Sequence, residues 1–325
     1  MNKRPKILVV GSLAMDLIVS TPRFPGSGET VQGSDFHTAP GGKGANQAVQ
    51  AVRLGADVSM VGKIGKDGFG YTVRTAVSDT GVDMTHVAVD EHCSTGIADI
   101  QLEVVPGEKS KNRILIVPGA NHAITPDDIA FLKDTIEQYD MVMLQLEIPM
   151  QINELVARYA YDAHVPVMLN PAPSSALSPQ FLECLTYLSP NEHEAADITG
   201  IPIRKDGNSV NMEDIRANIA ALRKLGVNNA LITLGSCGVA FGNDTEFYYQ
   251  PCVDVVQVLD PTAAGDSFVS AFCTAVCAGV SHEQALEFAN YTATLTVSRM
   301  GAQPSLPSLD EVNALMQSQN CSCLL

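Results

Sequence analysis

Two glycine-rich segments and a few acidic residues carry most of the chemistry that this sequence offers. Asp260, Pro261, Thr262, Ala263, Ala264, Gly265 and Asp266 follow a strand-like apolar run at 255–259 and open a helical pattern. That pattern places Phe268, Ala271, Phe272, Ala275 and Val276 on one stripe. Small residues in such a turn let the backbone approach a ligand closely, and the unpaired N–H groups of the helix's first turn form an anion site. Asp266 then stands where a carboxylate accepts a hydroxyl proton while developing phosphate charge rests on those N–H groups. A capping aspartate after a tight turn has the same local signature.

The second segment, Pro40, Gly41, Gly42, Lys43, Gly44, Ala45 and Asn46, also leads into a helix. Gly41 and Gly42 expose backbone N–H groups, Lys43 adds charge and reach, and Asn46 offers a donor and an acceptor suited to sugar hydroxyls. The spacing is not that of a Walker phosphate loop. A binding loop and a plain strand-to-helix turn both fit. Three further acidic positions follow apolar runs: Asp16 just after the run at 7–10, Glu147 after 141–146, and Asn191 to Glu194 after 187–190. Open α/β sheets place ligand contacts at such strand ends. Carboxylates gathered near phosphates call for a divalent cation, and Mg²⁺ suits an oxygen shell with retained waters. A solvated Asp16 and a helix first-turn Glu194 are the alternatives.

The elements that would position these groups alternate. Short β-branched runs at 7–10, 59–61, 141–146, 165–169 and 230–234 read as buried strands separated by helical patterns, which implies a parallel sheet with helices on both faces. A helix from near Gly44 places Ala45, Ala48, Val49 and Val52 on one face and stops at Gly55. Residues 16–40 and 95–117 break the rhythm with period-2 patterns and Pro/Gly turns, and read as an antiparallel flap: a lid over a site, a dimer surface, or both. One domain over residues 1–325, with those two lid segments, is expected.

Composition narrows the partners. A formal net charge of −16 disfavours nucleic acid and anionic membranes, so any phosphate must be met locally. The apolar run at 7–10 breaks at Gly11, too early for a signal peptide, and none approaches the ~18 residues of a spanning helix. A soluble, cytoplasmic protein is expected. The eight cysteines are scattered, with only Cys321 and Cys323 close in sequence, and read as thiols rather than a disulfide or metal framework.

From about Lys6 to Pro307 the chain resembles the ribokinase-like family of carbohydrate kinases. The run from Gly41 to Asn46 is similar to that family's first signature. The run 260–266 with Ser267 and Phe268 is similar to its second. Gln145, Leu146 and Glu147, the Asn191 to Glu194 run, and the Thr233 to Gly238 run lie between them in the family's order. The resemblance implies a three-layer α/β sandwich with about nine mostly parallel strands and a small antiparallel β lid that also makes a homodimer.

It also implies ATP-dependent phosphorylation of a sugar's terminal primary hydroxyl, with D-ribose to ribose 5-phosphate first among the candidates. Asp266 would be the base, and Ala263, Ala264 and Gly265 the anion hole. Asp16, Gly42, Lys43, Asn46, Glu147 and Ala98 would hold the sugar. Asn191, Thr233, Gly235, Gly238, Gly265 and Asn290 would line the nucleotide site, with Glu194 positioning Mg²⁺ through water. Asp260, Thr262, Thr296, Arg299, Gly301 and Ser305 would surround K⁺.

Two positions depart from the family pattern. Ala14 stands where an asparagine usually bonds sugar hydroxyls, and an unpaired group there costs about 1–3 kcal/mol, which brings 2-deoxyribose or another pentose into view. Ala263 replaces a glycine common in the wider family, a change compatible with function. Deoxyribokinase, ketohexose or acid-sugar kinase, nucleoside kinase and a catalytically silent binding protein are the rivals. A dinucleotide-dependent oxidoreductase fails, because Gly11 to Asp16 lacks the spaced glycines that admit a pyrophosphate.

Overall fold

The computed structural model describes residues 4–105, 111–207 and 209–325. Residues 1–3 of the N-terminal stretch and 106–110 of the second lid segment lie outside them. In chain order the first half comprises β1 (Lys6–Val10), β2 (Ala14–Thr21), β3 (Asp35–Gly41), α1 (Lys43–Arg53), β4 (Asp57–Gly65), α2 (Gly68–Ser78), β5 (Asp83–Asp90), β6 (Gly96–Glu103) and β7 (Lys111–Val117). Then come α3 (Leu132–Thr135), β8 (Met141–Gln145), α4 (Met150–Asp162), β9 (Val167–Asn170), α5 (Pro179–Leu182), β10 (Tyr187–Leu188) and α6 (Glu192–Thr199). The rest is β11 (Lys205–Asp206), β12 (Ser209–Val210), α7 (Met212–Lys224), β13 (Asn229–Thr233), β14 (Val239–Gly242), β15 (Phe247–Gln250), α8 (Ala264–Cys277), α9 (His282–Val297) and α10 (Leu309–Ser318).

Nine strands form the central sheet in the order β15-β14-β13-β10-β9-β8-β1-β4-β5. Every pairing is parallel except β13 with β14 and β14 with β15. Because strand side chains alternate between faces, neighbouring residues enter different cores. Ile7 and Val9 of β1 and Met141 and Met143 of β8 pack with α1, α2, α8, α9 and α10. Leu8, Val10, Val142 and Leu144 pack with α4, α5, α6 and α7 on the other face. Strands buried on both faces read as continuous apolar runs, which is why 7–10 and 141–146 were legible. The result is the three-layer sandwich expected. No helix of the described residues is long and apolar enough to cross a membrane.

A four-stranded sheet, β3-β2-β6-β7, stands beside the sandwich as the lid. It corrects the expectation of an antiparallel flap: the two hairpin pairings are antiparallel, but β2 and β6 run parallel at the centre. The cause lies in the main sheet. β2 follows β1 and β6 follows β5, and β1, β4 and β5 are themselves parallel, so both lid strands leave the same sheet edge in the same direction. Asp16 is also relocated, from a loop after β1 to the third residue of β2. Lid strand β7 exposes Ile114, Leu115, Ile116 and Val117, and Phe36 on β3 is 61% exposed.

A further correction concerns 255–259, which is not a strand. The sheet edge is already taken by β15, and the chain leaves it at Pro251. The segment instead runs irregularly to hydrogen bonds from the Leu259 and Asp260 N–H groups to the Val297 carbonyl, at 2.8 and 3.2 Å. Its apolar residues Val256 and Val258 line a cavity rather than a core.

Candidate active site

The carboxyl ends of β1, β8, β9, β10 and β13 open on one edge of the sheet, and the N-termini of α1 and α8 arrive there from one face. α1 approaches closely because Gly44 has no side chain: a Cβ there would lie 2.6 Å from the Ser12 nitrogen and 2.7 Å from the Gly11 carbonyl carbon. Gly42 precedes it at φ 90°, a left-handed conformation that glycine adopts without strain. The Ala45 N–H bonds the Ser12 carbonyl at 2.9 Å. Glu147, just past β8, accepts from the Ser12 hydroxyl at 2.5 Å and from the Lys43 N–H at 3.1 Å, both on Oε2.

Asp266 sits in the first turn of α8 and is 5% exposed. Two side-chain amides from α1 hold its carboxylate: Asn46 Nδ2 donates to Oδ2 at 3.0 Å and Gln47 Nε2 to Oδ1 at 3.1 Å. The other face of the Asn46 amide, Oδ1, is buried with no partner. Orphaned buried acceptors are rare in folded proteins, and this one has the chemistry to receive a ligand hydroxyl.

Electrostatics concentrates at the same place. Burial, and then the charges of Glu147 and Asp266, push the Asp16 carboxyl up from 3.8 to about 7. Burial alone would depress the Lys43 ammonium, but Asp266, Glu147 and Glu194 outweigh it and raise its pKa. One half-buried cation is thus shared among carboxylates delivered by α8, β8 and α6. Ala14 and Asp16 lie two apart on β2 and so on one face of the lid. Ala98 on β6 is the register partner of Asp16.

On the other side of Lys43 and Asp266 a cleft of about 790 Å³ extends toward β13 and α9, within the roughly 300–1,000 Å³ of small-molecule sites. Its walls include Asn191, Glu194, Thr233, Gly235, Gly238 and Asn290 together with Ala263, Ala264 and Gly265. Apolar wall comes from Val253, Val256, Val258 and Val297. Asn191 and Glu194 form a capping box for α6: the Asn191 N–H donates to Glu194 Oε2 at 2.8 Å and the Glu194 N–H to Asn191 Oδ1 at 2.9 Å. The helix-end reading of Glu194 therefore holds, and the residue also lines the cleft. Burial raises the Glu194 carboxyl despite the Asn191 N–H. Asn290 Nδ2 donates to the Pro251 carbonyl at 2.7 Å, fixing the loop over the cleft.

The turn into α8 is tight. Ala263 is left-handed at φ 60°, and the Ala264 N–H is already bonded to the Pro261 carbonyl at 3.2 Å. The first-turn N–H groups beyond it lack intrahelical acceptors. Asp260 knits the turn to its neighbour: Oδ1 accepts from the Thr262 N–H and hydroxyl at 2.9 and 2.6 Å, and Oδ2 from the Gly301 N–H at 2.9 Å. Thr296 and Ser305 are fully buried, their hydroxyls bonded to the Thr292 and Ala302 carbonyls, and Arg299 pairs with Glu311. Any monovalent cation here would therefore meet mainly backbone carbonyls and the remaining lone pairs of Asp260. That all-oxygen donor set suits K⁺. Among the described residues no three His, Cys, Asp or Glu side chains form a metal cluster, so Mg²⁺ would depend on phosphate oxygens and water, with Glu194 at one remove.

Sequence reasoning missed Ser12, Gln47 and Asn170, whose Nδ2 bonds the Ser189 carbonyl at 3.0 Å beneath the site. Asn170 at the end of β9 carries the signal that marked Glu147, a polar residue closing a buried apolar run. Gln47 had none beyond standing next to Asn46.

A mostly parallel α/β sandwich with a β lid, and a held carboxylate beside an open helix start at the mouth of a cleft of this size, defines a small-molecule kinase. The chain belongs to the pfkB family of carbohydrate kinases, whose profile matches residues 4–309. It is 38% identical to the ribokinase of Bacillus subtilis over 95% of this chain and 99% of that one. It is 31% identical to the deoxyribokinase of Salmonella typhi, over 94% and 97%. The structure of Arabidopsis thaliana ribokinase complexed with ribose and ATP superposes with a TM-score of 0.87 at 35% identity, covering 97% of this chain and 99% of that one.

Proposed function

We propose that this sugar kinase transfers the γ-phosphoryl group of ATP to the terminal primary hydroxyl of a pentose, D-ribose before others, giving the 5-phosphate and ADP. The observation that carries the reading is the placement of Asp266: it is held by Asn46 and Gln47 at the junction between an acidic pocket and the cleft. Asp266 takes the proton of the sugar hydroxyl as its oxygen bonds to the γ-phosphorus. The bond to the β-γ bridging oxygen breaks, and ADP leaves. Charge developing on the transferred group rests on Lys43 and on the α8 first-turn N–H groups from Gly265 onward, rather than on all of the expected 263–265 set, because the Ala264 N–H is taken by the Pro261 carbonyl; catalysis is alignment plus preorganised charge.

Asp16, Gly42, Lys43, Asn46 and Glu147 grip the sugar hydroxyls, with Ala98 closing from the lid. Asn191, Thr233, Gly235, Gly238 and Asn290 hold the nucleotide. Glu194 would hold Mg²⁺ through water, giving positive charge to the phosphates, and Asp260, Thr262, Thr296, Arg299, Gly301 and Ser305 would surround K⁺, whose charge would order the turn into α8. The apolar face of β7 and Phe36 supports a homodimer through the lid, and the site's dependence on ATP and free sugar fits a cytoplasmic enzyme. The deciding test is ADP release from Mg·ATP in K⁺ buffer with ribose, 2-deoxyribose, other pentoses, fructose and nucleosides compared. The result expected is strongest turnover of ribose.

A second reading, 2-deoxyribose, rests on Ala14: its methyl group shares the Asp16 face of β2 and makes no hydrogen bond to a sugar hydroxyl. Higher kcat/KM for 2-deoxyribose would establish it. Turnover of none of these sugars would leave a binding protein.

A further inference from the structure

Beneath Asp266 lies a chain of buried amides, Gln145, Gln47 and Asn170, of which only Asn170 reaches the cleft. Gln47 and Gln145 are both fully buried. Gln47 Nε2 donates to Asp266 Oδ1 at 3.1 Å and more weakly to Asn170 Oδ1 at 3.4 Å, while Gln47 Oε1 accepts from Gln145 Nε2 at 2.6 Å. Asn170 is oriented in turn by its bond to the Ser189 carbonyl. The backbone is pinned as well, because the single proton of the Ser270 hydroxyl of α8 is shared between the Gln47 carbonyl at 3.0 Å and the Asp266 carbonyl at 2.8 Å.

An amide has two ends of opposite character, and every neighbour of Gln47 selects the same one. Flipped, its oxygen would face a carboxylate and the Asn170 oxygen, and its NH₂ would face the NH₂ of Gln145. We infer that Gln47 is a positioning residue for the catalytic carboxylate, with its amide orientation dictated by Gln145 from the end of β8. The arrangement leaves Gln145 Oε1 buried without a partner, a polar cost that a purely structural contact would not need. Gly11 makes room for it, since a Cβ there would lie 2.0 Å from that oxygen. With Asn46 on the other oxygen, each carboxylate oxygen has one lone pair engaged, which fixes the plane of the group and leaves a second lone pair for the substrate hydroxyl.

This inference rests on Asp266 being the base of the proposed phosphoryl transfer, and the experiment separates the two. Wild type, Gln47→Met, Gln145→Glu and Gln145→Leu are compared for kcat, KM for sugar and ATP, sugar affinity by calorimetry, and melting temperature. Gln47→Met keeps the shape and removes the donor. Gln145→Glu puts an acceptor against Gln47 Oε1 and drives the amide to flip, although residue 145 does not touch Asp266. Loss of one charge-assisted hydrogen bond should lower kcat about tenfold or more in Gln47→Met and in Gln145→Glu. Both KM values and sugar affinity should stay within about twofold, because neither residue touches a substrate. Gln145→Leu, which leaves the amide unforced, should lose less than Gln145→Glu. Unchanged kcat in folded Gln47→Met, or a Gln145→Leu loss equal to that of Gln145→Glu, would overturn the inference while wild-type turnover keeps the kinase reading. A wild type that binds sugar and ATP without turnover would overturn both.

Discussion

Asn46 and Asp266 are 220 positions apart, yet the Asn46 amide donates to the Asp266 carboxylate at 3.0 Å in the buried heart of the site. The bond joins the first turn of α1 to the first turn of α8, so the glycine-rich loop and the 260–266 turn are assembled together. It also leaves Asn46 Oδ1 as an unfilled acceptor beside Asp266. One amide thus serves the carboxylate with one end and is open to ligand with the other.

Asp266→Asn keeps the size of the side chain and removes the proposed base. Turnover should fall at least about 100-fold, while sugar affinity measured by calorimetry changes only a few-fold. A variant with near-normal kcat would exclude Asp266 as the proton acceptor.

Asp16 gives the unliganded protein a pH signature. Its carboxyl is pushed up to about 7 by burial and by Glu147 and Asp266, whereas in the unfolded chain it ionises near its ordinary value of about 3.9. Between these values the folded state holds a proton that the unfolded state lacks. Stability therefore falls as pH rises through the window from about 4 to 7, and the loss is complete above it. Asp16→Asn should raise stability in urea titrations by about 1 kcal/mol or more at pH 8 and change it little near pH 4. An equal effect at both pH values would assign the change to packing instead. Sugar affinity should fall in the same variant, since the retained cost serves binding.

Two glycines should respond in opposite ways to a methyl group. Gly44→Ala forces a Cβ against the backbone of Gly11 and Ser12, and should destabilise the protein by about 1–3 kcal/mol, seen as a lower Tm. Gly265→Ala meets no atom within 4 Å and lines the cleft. It should leave Tm unchanged or slightly raised while lowering turnover, because the methyl enters the space of the transferred phosphoryl group. A stable, fully active Gly265→Ala would show that the group lies elsewhere.

The loop joined by Asp260 and Gly301 should make activity depend on the monovalent cation. Exchange of K⁺ for tetramethylammonium at constant ionic strength should lower kcat and leave Tm nearly unaltered. Indifference of kcat would remove the cation site at 260–305.

The sequence by itself determined the layers and the chemistry-bearing segments. Doubly buried strands must be continuous apolar runs, and a tight turn into a helix is built from small residues, so 7–10, 141–146 and the helix starts after the 40–46 loop and the 260–266 turn were readable from local composition. Tertiary structure alone decided the rest. The parallel pairing of β2 with β6 follows from two strands leaving the same edge of a sheet, a relation between residues 82 positions apart such as Asp16 and Ala98. The run at 255–259 has strand composition, but the edge it would join is occupied by β15, so its valines face a cleft. Gln47, Gln145 and Asn170 acquire meaning only when α1, β8 and β9 meet beneath Asp266. Hydrogen-bond direction is a property of three-dimensional neighbours, and a single glutamine in a helix carries no trace of which end of its amide the fold will use.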